Sequence, residues 1–146
     1  MNTKNILLPA IAGTSLMTVF SYVIAELEDK NFSEPELLAH IEKRLLKAPK
    51  KIALPAGWVT HYGVGVIITL FFYLVRQNTN LKPVFKGSFA LGALGGLSAI
   101  MAWKLALKVL PRRSDNFYKK FYSQLFVAHF VFAATVILTE KAIKRR

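Results

Sequence analysis

Four blocks of apolar residues, at about 6–25, 58–75, 87–103 and 121–139, run almost without charge. A helix rises about 1.5 Å per residue and the hydrocarbon core of a bilayer is about 30 Å thick, so roughly 17–25 apolar residues cross it. All four blocks meet that length. Only helices and closed barrels satisfy every peptide group in lipid, and unbroken apolar runs of this length belong to helices. The expected fold is therefore all-α: a polytopic membrane protein with four transmembrane helices. A single transmembrane domain accounts for residues 1–146.

Composition supports this reading and removes others. Of 146 residues, 53% are hydrophobic and the mean hydropathy is +0.36, but the formal charge is +12. The Lys and Arg residues sit in the gaps and at the block ends, where they meet lipid head groups and set topology. They form no basic stripe with interleaved aromatics, so no nucleic-acid partner is expected. The chain has no cysteine, which excludes disulfides, thiolate metal sites and CxxC redox chemistry. The first block is longer than a signal-peptide core, has no Ala-x-Ala-like site at its end and runs into Glu26, Glu28 and Asp29, so it is expected to be retained as a span.

The first gap is the long one. Ser33 and Glu36 have capping-box spacing, with Phe32 and Leu37 at the staple positions. Leu37, Leu38, Ile41, Leu45 and Ala48 fall on one face, and Pro49 ends the pattern. A short amphipathic helix over about 34–48 follows, either lying in the membrane interface or packing on the span ends. The second span is expected to start after Pro55-Ala56-Gly57. In the third, Ser88, Gly92 and Gly96 are spaced by four, which lets two helix backbones approach closely.

Spans two and four align without gaps, from Trp58-Val-Thr-His61-Tyr to Phe126-Val-Ala-His129-Phe. Spans one and three echo each other at Gly13-Thr-Ser15 and Gly96-Leu-Ser98. A duplicated helical hairpin would produce this pattern, with the two histidines at similar depth. The gaps after spans one and three hold 12 Lys and Arg against 8 for the termini and middle gap, which favours external termini. Tyr22, Trp58, Tyr62, Trp103, Tyr118 and Tyr122 gather on the side of the first and third gaps, marking it as the working face.

His61 and His129 are the ionisable residues set well inside the spans, and such residues are candidates for function. They could clamp a haem b iron, hold a quinone or relay a proton. They could equally be neutral and bonded to a backbone carbonyl or to Thr60, Ser123 or Gln124. No spacing marks catalytic residues or a metal site, and most simply there is no cofactor.

At Gly13-Thr-Ser-Leu-Met, Phe32-Ser-Glu-Pro-Glu-Leu-Leu and Gly57-Trp-Val-Thr-His-Tyr-Gly-Val-Gly, the chain resembles small four-span bacterial integral membrane proteins of unknown function. The resemblance implies a multi-pass protein of the bacterial cytoplasmic membrane and no particular activity. The leading expectation is a non-catalytic accessory or interaction protein, with a homo-oligomer or larger membrane complex formed through the small residues of span three. The alternatives are a redox protein binding haem or quinone at His61 and His129, and a small transporter or channel working as a dimer.

Overall fold

A computed structural model describes residues 3–28, 32–47, 49–81 and 84–144. The helices are α1 (Lys4–Leu27), α2 (Glu34–Leu46), α3 (Lys50–Gln77), α4 (Val84–Ala106) and α5 (Asp115–Lys144), with a 3-10 turn at Leu107–Val109 after α4. No strand occurs among the described residues. Four of these helices are long and apolar enough to cross a membrane. Their outward faces carry exposed Leu16, Val19, Val59, Ile67, Phe85 and Met101. A water-soluble domain rarely exposes so much contiguous apolar surface, whereas lipid solvates it.

The apolar blocks set the spans, but the helices outrun them. α3 begins at Lys50 and carries Pro55 inside it, rather than starting after Gly57 as expected. A helical proline removes the bond to the carbonyl four residues back, here that of Lys51, close to the helix start. Gly57 is needed at this point. A Cβ there would strike the Pro35 carbonyl and the Ala39 amide of α2. α2 therefore lies directly on the start of α3.

That contact settles what the amphipathic helix does. Leu37, Ala39 and Ile41 are buried against the bundle, whereas Leu45 and Leu46 of the last turn are exposed. Ala48 and Asp29 lie outside the described residues. Phe32 and Leu37 are both buried in one cluster with Leu107, Phe117, Phe121 and Leu125, as the staple positions required. The capping box does not form. Ser33 is the N-cap but makes no side-chain cap bond, and its hydroxyl donates to Tyr22 at 3.1 Å.

Helix order is what creates the site. α1 is central, packing on α3 along one side and α5 along the other; α5 in turn packs along α4. α3 and α4 are consecutive in sequence yet barely touch. A duplicated hairpin with two-fold symmetry would make the α3–α4 contact match the α1–α5 contact, and it does not. The row of helices is an open arc with a gap between its ends.

Candidate lateral binding cleft

The gap between α3 and α4 is a cavity of about 470 Å³. Its floor comes from Met17, Leu125 and Phe132, its α3 wall from Val64, Ile68 and Phe71, and its α4 wall from Leu94, Ala99 and Ala102. Glu34, Leu38, Trp103 and Ala106 line one end. That end is the side of the first and third gaps, where the aromatic residues gather. The cleft runs from there inward to Phe72. Ile67 and Ala102 of the two walls are exposed outward, so the cleft opens sideways as well.

Both histidines singled out from the sequence line this cleft. They are buried, with exposures of 6% for His61 and 3% for His129. Hydrogen bonds fix the tautomer of each neutral ring. The Thr18 hydroxyl donates to the Thr14 carbonyl at 2.7 Å. Its oxygen must then accept from His61 Nε2–H, 2.8 Å away, leaving Nδ1 as the acceptor. His129 Nδ1–H donates to the Leu125 carbonyl at 2.8 Å, leaving Nε2 as the acceptor. Neither ring makes a second hydrogen bond among the described residues. The carbonyl partner expected for a buried histidine is found at His129. His61 is held by Thr18, a residue the sequence did not suggest, while Thr60 donates instead to Glu42 at 2.5 Å.

A third polar group on the cleft was not read from the sequence. Glu34, the first residue of α2, is 1% exposed. Ser21 of α1 donates to its Oε1 at 2.8 Å, and Gln124 of α5 donates to the same oxygen at 3.2 Å. Gln124 also donates to Ser21 at 2.5 Å. The other carboxylate oxygen, Oε2, is buried and has no partner among the described residues. Burial pushes the Glu34 carboxyl up to about 7, against the lowering effect of its hydrogen bonds to its own backbone and Ser21. The clue in the sequence was Glu34-Pro35 at a helix start, but a carboxylate there is normally solvated and gave no warning of burial.

The small residues of α4 face α5. Phe130 and Phe126 lie 2.8 and 2.7 Å from where Cβ atoms on Gly92 and Gly96 would sit. Ser88 is half-buried, with its hydroxyl unpartnered among the described residues. The close-approach signal in this span is thus met inside the chain. Gly95, outside that spacing, lies between Phe72 and His129 and forms part of the cleft wall.

Chemically, the cleft is an apolar slot with two acceptor nitrogens, a Thr14 hydroxyl and a carboxylate oxygen, the last two unpartnered among the described residues. Among the described residues no lysine or arginine lines it. Among the described residues no group of three or more His, Asp or Glu could hold a metal ion. Ligating a haem through His61 Nε2 would require breaking its bond to Thr18. A quinone carbonyl needs a donor, which the Thr14 hydroxyl or the Trp103 indole N–H could supply, while the two histidine nitrogens suit the hydroxyls of a quinol.

Compared with known proteins, the chain matches no family model, no curated protein and no solved structure.

Proposed function

We propose that this protein binds a bilayer-dissolved amphiphile in the cleft between α3 and α4. The observation that carries this is one lateral apolar cavity holding two buried histidines, each with one ring nitrogen left to accept a hydrogen bond. Ligand sites are mostly apolar concavities with a few placed polar groups, and this cleft has that make-up. The molecule enters sideways from lipid, lays its tail along Phe71, Phe72 and Ile68, and sets its head group against the histidines and Glu34. A binding role fits better than assembly through α4, because Gly92 and Gly96 are already covered by α5. The basic gaps suit the anionic lipids of a bacterial cytoplasmic membrane, where this reading places the protein.

A ligand that binds only the folded chain raises its stability. Delipidated protein should therefore gain thermal stability when extracted membrane lipids are added back. Ala99→Phe, which fills the cleft, should lose that gain, while Leu97→Phe on the exposed face of α4 should keep it. Equal responses from all three proteins would refute the reading.

A further inference from the structure

We infer that the cleft selects an amphiphile with a protonated amine head group, and that Glu34 is its counter-ion. This rests on the cleft being a binding site and goes further by naming the head group. Three observations lead to it. The carboxylate is buried at the head-group end of the cleft, with Ser21 and Gln124 both bonding Oε1 and Oε2 without a partner among the described residues. Buried carboxylate oxygens are ordinarily paired, and an unpaired one is costly. Of the other polar groups along the slot, three accept hydrogen bonds: His61 Nδ1, His129 Nε2, and the Ser98 hydroxyl oxygen, whose proton goes to the Leu94 carbonyl at 2.8 Å; the Thr14 hydroxyl, unpartnered among the described residues, can accept as well as donate, and the Trp103 indole N–H donates. A protein of formal charge +12 brings none of its described lysines or arginines to this cavity.

Each feature suits an ammonium. It supplies up to three donors and one positive charge, and it has no acceptor. Oε2 takes one donor and the charge. A phosphate or carboxylate head would meet the Glu34 carboxylate with no described lysine or arginine in the lining and be repelled. The groups facing Glu34 are Ser21 from α1 and Gln124 from α5, with His61 of α3 and His129 of α5 further along the slot. Among the described residues Glu34 is the only carboxylate lining it. Because burial holds this carboxyl near 7, a proton and an ammonium compete for Oε2 around neutral pH. Entry of the ammonium sends the proton to water at the face of the first and third gaps.

The test uses the protein's own reporter. Trp103 lines the cleft and Trp58 does not, so Trp58→Phe leaves one tryptophan, at the site. This protein, reconstituted in nanodiscs, is titrated with 11-bromoundecylammonium, 11-bromoundecanol and 11-bromoundecanoate, whose bromine quenches tryptophan. Ala99→Phe in the same background supplies the quenching due to bilayer partitioning alone. The ammonium should quench at a concentration at least tenfold below the alcohol, with the carboxylate weakest. Glu34→Gln should erase the preference while the alcohol still quenches. Three probes quenching alike above the background would overturn the ammonium inference and leave the cleft a binding site. Quenching no greater than in Ala99→Phe for all three would remove the binding site itself. If Glu34→Gln fails to fold, the ranking in the unsubstituted carboxylate protein decides.

Discussion

Glu34 and Gln124, 90 residues apart in the chain, meet at 3.2 Å where the first residue of α2 reaches Ser21 of α1 and Gln124 of α5. Their contact ties the amphipathic helix to the bundle and buries a carboxylate at the head-group end of the lateral cleft. Stability and ligand selection therefore depend on the same side chain.

The Glu34 carboxyl is raised from 4.5 to about 7 in the folded chain. Between those values the folded protein keeps a proton that the unfolded chain has released, so stability falls as pH rises and levels off above about 7. The full change is on the order of 3 kcal/mol. Thermal unfolding in detergent from pH 4.5 upward should show this slope for the wild type and a flatter one for Glu34→Gln. Parallel curves would remove Glu34 as the source.

The histidine rings should carry opposite tautomers. Nitrogen-15 NMR of histidine-labelled protein in bilayers, with His40→Gln to simplify the spectrum, should show His61 protonated on Nε2 and His129 on Nδ1. Two rings with the same tautomer would contradict the Thr18 and Leu125 bonds.

Gly92 and Gly96 should resist enlargement because Phe130 and Phe126 stand against them. Overpacking such a contact costs about 1–3 kcal/mol. Gly96→Leu should therefore lower the unfolding temperature by several degrees without changing oligomer yield in membrane crosslinking. Leu97→Ala, on the exposed face of α4, should stay within about 0.5 kcal/mol of wild type. Loss of oligomer with unchanged monomer stability would mean that these glycines serve an interface between chains.

At the opposite end from Glu34, Arg76 of α3 pairs with Glu140 of α5, their side chains 10% and 9% exposed. Arg76 also donates to the Leu81 carbonyl at 3.2 Å, and Lys144 donates to Glu140 at 2.6 Å. Breaking a buried pair by removing one partner typically costs about 3–5 kcal/mol. Glu140→Ala should destabilise by an amount of that order in thermal unfolding; a change below about 1 kcal/mol would show that the pair is not structural.

The spans were readable because lipid imposes a length and a polarity on every crossing helix. Both buried histidines were readable as isolated polar residues in apolar blocks, and the structure brings them to one cavity. Other features depended on tertiary packing. Pro55 read as a boundary, but so near the start of α3 it removes only one bond. Gly92 and Gly96 signalled close approach without saying to what. Glu34 was hidden by position, since a helix-start carboxylate is usually in water. The cleft itself was illegible because α3 and α4, adjacent in sequence, would ordinarily pack together; α1 inserts between α3 and α5 instead and holds the arc open.

The most direct test is native mass spectrometry of the protein released from mild detergent, wild type against Ala99→Phe. Wild type should carry one small molecule per chain, extractable into organic solvent and basic in its head group, and Ala99→Phe should fly as the bare chain. Wild type and variant with the same mass adducts, or neither with any, would contradict a ligand-holding cleft between α3 and α4.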